Sequence, residues 1–167
     1  ENEINHAETH IKNIVLNFLP SVLNHLNVNF ENTNQIVAGA SMGGLMSIKT
    51  SILFPQFRNI ISLSPAFWFG YPRVLEDVNN LSNESSIYLY TGKKEGHIFG
   101  DHVKNIFPNH WDLDFSNNDD FYYSGVKKIK DSLESHNKTV IFSFQENGHH
   151  NETSWASAIL EILGKLI

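Results

Sequence analysis

The stretch Gln35-Ile36-Val37-Ala38-Gly39-Ala40-Ser41-Met42-Gly43-Gly44 decides how the rest of the chain is read. A short apolar, β-branched run leads straight into Gly39-Ala40-Ser41-Met42-Gly43, and a helical pattern follows. A bare Gly-x-Ser-x-Gly match says little; between a strand and a helix it is the sequence of a nucleophile elbow. Such a turn holds its serine on strained backbone and pushes the hydroxyl out above the sheet. Gly39 and Gly43 are expected on steric grounds, a Cβ at either colliding with the neighbouring strand and helix. The N–H of Met42, at the start of the helix, is the expected oxyanion-hole donor for an attacked carbonyl.

Working outward, the pattern alternates between helix and strand. Before the elbow, Ile14, Val15, Phe18, Leu19, Val22, Leu23 and Leu26 fall on one helical stripe, which Pro20 should kink or restart. After it, a helix is expected from Met42 to about Leu53, closed by Pro55. Asn59–Ser64, Ser86–Thr91 and Thr139–Gln145 read as three further strands. Val126, Ile129 and Leu133 mark a helix before the last strand. Trp155, Ile159, Ile162, Leu163 and Leu166 mark a helix after it. The fold class is therefore α/β, a mostly parallel sheet flanked by helices on both faces. Residues 97–124 show no clean period and are rich in Asp, Asn and aromatics, among them Phe99, Phe107, Trp111, Phe115, Phe121, Tyr122 and Tyr123. Two readings stay open there: a lid or binding loop, or an irregular excursion with a short helix near Asp101–Ile106 held by its aromatics.

Composition narrows the function classes. The 167 residues are one domain's worth, with 41% hydrophobic and 18% charged residues, ordinary for a soluble globule. A net charge of −6 without a basic cluster argues against nucleic acid and anionic membranes as partners. The absence of cysteine removes disulfides, thiol catalysis and Cys-based zinc sites. No apolar run approaches membrane-spanning length. Asn-x-Ser/Thr matches at Asn83, Asn137 and Asn151 carry no weight without a sign of secretion, and the expected location is cytoplasmic.

In an open parallel sheet, chemistry collects beyond the carboxyl ends of the strands. Ser41 follows the first strand, Glu95 lies in the loop after the third, and His149-His150 lie in the loop after the fourth. Nucleophile, acid, base is the chain order of α/β-hydrolases. An attacking serine must pass its proton to a base; an imidazole accepts it, and a carboxylate holds the imidazole's tautomer and stabilises its cation.

Four blocks together resemble one family: Gly39-Ala40-Ser41-Met42-Gly43-Gly44-Leu45, Ser64-Pro65-Ala66-Phe67-Trp68, Gly92-Lys93-Lys94-Glu95 and Gly148-His149-His150-Asn151-Glu152-Thr153-Ser154-Trp155. In order and placement they are similar to the Putative esterase family, the esterase D and enterochelin-esterase-like branch of the α/β-hydrolases. The resemblance runs over essentially the whole chain and does not name a substrate. It implies Ser41 as nucleophile, His150 as base and Glu95 as acid. His149 competes with His150, and Asp101 with Glu95. Phe67 and Trp68 line an acyl pocket or belong to the core, with Phe67, Trp68 and His149 taken as substrate-binding candidates. Trp155 and Glu152 read as anchors of the last helix. Neither His97, Asp101, His102, His110 and Asp112 nor His6 and His10 has the spacing of a complete metal site, so no metal or other cofactor is expected.

The resemblance also implies a departure. Family members have further N-terminal strands and the loop that gives the second oxyanion donor, so residues 1–167 are expected to be the C-terminal part of a longer single domain. An apolar sheet edge is then exposed, with self-association through it. The expected function is serine ester hydrolysis through an acyl-enzyme, on a small-molecule, siderophore or carbohydrate ester. An acyltransferase with the same triad, or a non-catalytic binding module without a complete oxyanion hole, are the alternatives.

Overall fold

A computed structural model describes residues 2–29, 35–107 and 112–166; His110 and Trp111 lie outside them. Four strands form one parallel sheet in chain order: β1 (Ile36–Ala40), β2 (Asn59–Leu63), β3 (Ser86–Lys94) and β4 (Thr139–His149). The register lines Val37, Ile60, Ile87 and Val140 into one row and Ala38, Ile61, Tyr88 and Ile141 into the next. Neighbouring rows face opposite sides because side chains alternate along a strand. The first row packs with α3 (Met42–Leu53), α4 (Arg73–Asp77) and α6 (Asn118–Ser135), which contribute Ile48, Val74, Phe121, Val126, Ile129 and Leu133. On the other face Ile61, Leu63, Tyr88 and Tyr90 pack against Ala158 and Ile162 of α7 (Glu152–Leu166). Burial on both faces explains why β2 and β3 read as nearly continuous apolar runs.

Before β1 the chain forms α1 (Asn2–Asn13), a single wide π turn at Ile14–Phe18, and α2 (Leu19–Leu26). Proline lacks an N–H and its ring crowds the preceding turn, so the helical ladder is rearranged just ahead of Pro20 and restarts with Pro20 in its first turn. The helix ends at Asn27 in the left-handed region (φ 53°). Of the apolar stripe, Val15, Leu19, Val22 and Leu23 are half-buried, whereas Ile14, Phe18 and Leu26 are exposed. β1 forms an edge of the sheet, with no strand on its outer side among the described residues.

Two departures from the sequence reading matter for the site. First, β3 runs on to Lys94 and β4 to His149, into segments that read as loops. A glycine pair permits this close crossing. A Cβ on Gly92 would sit 2.3 Å from the Gly148 carbonyl oxygen, and one on Gly148 would sit 2.8 Å from Gly92 Cα. Second, part of 97–124 is regular: a tight turn at Gly96–Phe99, α5 (Val103–Ile106), and α6 starting at Asn118. Asn117 caps α6, its side chain accepting the Asp120 N–H at 2.9 Å. Phe99, Phe107 and Phe115 pack around Phe121, with ring centroids 5.0–5.5 Å from it.

Candidate active site

The elbow is built from contacts between main chains. Ser41 sits between β1 and α3 with φ 56° and ψ −121°, a conformation that a non-glycine residue holds only when its surroundings force it. Its N–H donates to Leu63 O on β2 (2.9 Å), and its carbonyl accepts from Gly44, Leu45 and Ala66 N–H. Of the two glycines expected to be tight, Gly39 is and Gly43 is not. A Cβ on Gly39 would lie 2.3 Å from Gly43 O, and one on Gly44 would lie 2.8 Å from Leu63 O. A Cβ on Gly43 meets nothing within 4 Å. The tight positions are therefore Gly39 and Gly44, and the steric argument for Gly43 is corrected.

Ser41, His150 and Glu95 join in one hydrogen-bonded line. His150 Nε2 lies 2.9 Å from Ser41 Oγ, and His150 Nδ1 lies 3.0 Å from Glu95 Oε2. Glu95 has no exposed surface, so its carboxylate depends on protein donors. Its donors include His150 on Oε2, and the Gly92 N–H and the Ser64 hydroxyl (2.7 Å) on Oε1. His150 packs against two rings, Tyr122 at 5.4 Å and Trp155, nearly perpendicular to it, at 4.9 Å. Just beyond it Asn151 caps α7, its side chain accepting the Ser154 N–H at 3.0 Å. Burial, and then the charge of Glu95, push the Tyr122 phenol well above its ordinary value. Tyr122 therefore stays a neutral donor, bonded to Ser64 O at 2.6 Å. The same two causes raise Tyr90 to about 12.

Of the competing assignments, His149 is not the imidazole bonded to Ser41. Its ring lies 6.0 Å from that of His97, and both line a polar cavity of about 670 Å³ with Lys94, Asn118 and Asn151. Asp101 is exposed and bonds the His102 N–H and Asn105 at the start of α5 instead of an imidazole. Phe67 is fully buried among Trp68, Tyr71, Phe121 and Tyr122, so it belongs to the core and is removed from the substrate-binding set. Trp68 is half-buried, 5.4 Å from the Tyr122 ring, which in turn lies 5.4 Å from that of His150. Met42 opens α3, and its N–H is among the four at a helix start that lack an intrahelical acceptor. No group of three or more His, Asp or Glu able to hold a metal occurs among the described residues. No described helix is long and apolar enough to cross a membrane.

Ser64 escaped the sequence reading except as a member of a block. It is buried, holds φ 44°, accepts the Trp155 indole N–H at 3.0 Å and donates to Glu95. No local pattern announces this role, since its partners lie 31 and 91 residues away.

Known proteins agree with this architecture. The enterobactin esterase FES from Shigella flexneri superposes with a TM-score of 0.62 at 18% identity, over 89% of this chain and 34% of that one. A ferulic acid esterase gives 0.62 at 12% identity, over 90% of this chain and 57% of its own. The siderophore hydrolase EstA from Aspergillus nidulans gives 0.61 at 12% identity, over 93% and 56% respectively. At these identities the likeness is one of fold, the α/β-hydrolase fold, and the chain spans between a third and three-fifths of these neighbours. No curated protein matches the sequence significantly. The model of one sequence family, described as Putative esterase, matches residues 2–166, and the chain belongs to that family.

Proposed function

We propose that this chain carries the nucleophile, base and acid of a serine esterase acting through an acyl-enzyme. The observation that carries the reading is the unbroken line Ser41 Oγ–His150 Nε2, His150 Nδ1–Glu95 Oε2, at 2.9 and 3.0 Å. Ser41 attacks the ester carbonyl while its proton passes to His150 Nε2. The Met42 N–H, at the positive end of α3, faces the oxyanion. His150 then returns the proton to the departing alcohol oxygen. In the second half-reaction His150 takes a proton from water, the hydroxide oxygen bonds to the acyl carbon, and Ser41 leaves as the free hydroxyl. Glu95 stays ionised throughout, holding Nδ1–H and balancing the imidazolium.

The substrate class is a small-molecule ester. Siderophore and carbohydrate or aromatic acyl esters are the first to try, because the neighbours of like fold are described as acting on enterobactin, on siderophores and on ferulic acid esters. Trp68 is the side chain offered to the acyl group, and His149 the one offered to the alcohol part. Met42 supplies one oxyanion donor; each such donor is worth about a hundred- to a thousandfold in rate. The reading includes a cytoplasmic location, tested by fractionation, and self-association of this polypeptide through the β1 edge.

Turnover of short-chain nitrophenyl esters tests the proposal, with product analysis in the presence of alcohol acceptors. Free acid formed at a rate that Ser41→Ala abolishes supports it. Ester products in preference to acid would make the protein an acyltransferase, and turnover unaffected by Ser41→Ala would remove the triad from the account.

A further inference from the structure

We propose that Ser64 is a positioning residue for Glu95 and that Trp155 sets the direction of its hydroxyl; this rests on the triad reading above. An indole N–H can only donate. Because Trp155 Nε1–H donates to Ser64 Oγ at 3.0 Å, the single proton of that hydroxyl is left for Glu95 Oε1 at 2.7 Å. The Gly92 N–H donates to the same oxygen. Two donors thus fix Oε1 and turn Oε2 toward His150 Nδ1. With one donor only, the carboxyl group could swing about its terminal torsion, which has a broad, shallow preference.

The backbone at Ser64 supports the same conclusion. Ser64 follows β2 as Ser41 follows the adjacent strand β1, and both have positive φ, 44° and 56°. Glycine is the residue that adopts such angles without strain. A serine persists at Ser64 on a backbone held by its N–H to Tyr90 O (2.8 Å) and by Tyr122 Oη donating to its carbonyl (2.6 Å). The hydroxyl is what a glycine would lack. Ala66 N–H bonded to Ser41 O at 3.0 Å ties the two serines into one frame, so the acid is aligned from the same strand ends that carry the nucleophile.

The test uses the full chain and the rate at which a fluorophosphonate labels Ser41. Ser64→Gly removes the hydroxyl and relieves the φ, so it should fold cooperatively. Its labelling rate should fall roughly ten- to a hundredfold, the loss expected for one hydrogen bond to a charged group, with KM for a nitrophenyl ester unchanged. In a Glu95→Gln background the same substitution should change the rate less than about threefold, since residues acting through one another are not additive. A wild-type rate in Ser64→Gly, or an equal loss in both backgrounds, overturns the proposal. If Ser64→Gly fails to fold, Trp155→Phe, which keeps a ring near His150 and removes only the donor, should show a several-fold loss that also vanishes with Glu95→Gln; a wild-type rate there overturns it. If native Ser41 does not label at all, the triad reading fails separately. The downfield Nδ1–H proton resonance of His150 then decides: Ser64→Gly should weaken or abolish it, and an unchanged resonance rejects Ser64 as a positioning residue.

Discussion

The carboxyl ends of β2, β3 and β4 and the helical segment before β1 use their residues in opposite ways. Around Glu95 the polar groups are bonded to one another, with Glu95 and Ser64 fully buried, down to a serine on strained backbone and an indole N–H that finds its acceptor. Around α1 and α2 part of the apolar surface lies open: Phe18 is 66% exposed, Leu26 61% and Leu16 59%. Burying such a side chain is worth about 1.5–3 kcal/mol, so these residues leave several kcal/mol of stabilisation unrealised among the described residues. Amphipathic patterning records that a face is suited to burial; it does not say what covers it. The site, by contrast, is closed by residues that the chain itself supplies.

The largest expected effect lies in the closed half. His150→Ala should lower ester turnover by several powers of ten, as losses of triad bases do, while His149→Ala retains most of it. Glu95→Gln should cost less than His150→Ala, since the acid orients the base and does not react. Phe18→Ser in the open half should leave the rate unchanged. Parallel rate measurements on these variants check the contrast, and a His149→Ala loss equal to that of His150→Ala would break it.

The glycines sharpen the comparison next. Gly39→Ala places a Cβ 2.3 Å from the backbone of Gly43, where nothing can yield locally, and should destabilise the protein by about 1–3 kcal/mol or more. Gly43→Ala fills open space on the first turn of α3 and should be neutral or stabilising by up to about 1 kcal/mol. Chemical denaturation of the two variants reads this directly.

These pairs also show what the sequence could and could not say. The elbow, the four strands and the placing of Ser41, Glu95 and His150 past three strand ends were legible because each rests on local pattern: an apolar run, a glycine, a break. The overrun of β3 to Lys94 and β4 to His149 was not, because those residues are polar, and the only signal was the glycine pair Gly92 and Gly148. The start of α6 was readable in Asn117-Asn118-Asp119-Asp120, a cap followed by acids, but the aromatics around it hid the period. The short helix α4 carries too few residues for periodicity to register. Ser64 lies beyond any sequence pattern, since its meaning comes from where Glu95 and Trp155 converge.

Two smaller effects complete the set. This polypeptide should self-associate through the open edge of β1, and Ile36→Lys, which puts a charge on that edge, should shift sedimentation toward the monomer without changing the labelling of Ser41. Alkaline pH should loosen the closed half. Tyr90 has its phenol raised from 10.0 to about 12, so the stabilisation from keeping it neutral is complete below pH 10 and fades as pH climbs to about 12. Melting temperature against pH over that window should fall, and Tyr90→Phe should fall less.

The central claim is that Ser41 is an activated nucleophile, and covalent labelling by a fluorophosphonate probe tests it most directly. The account predicts rapid modification that mass spectrometry maps to Ser41 and that His150→Ala slows by orders of magnitude. Labelling at Ser41 that is equally fast with and without the His150 imidazole, or none at all, would contradict it.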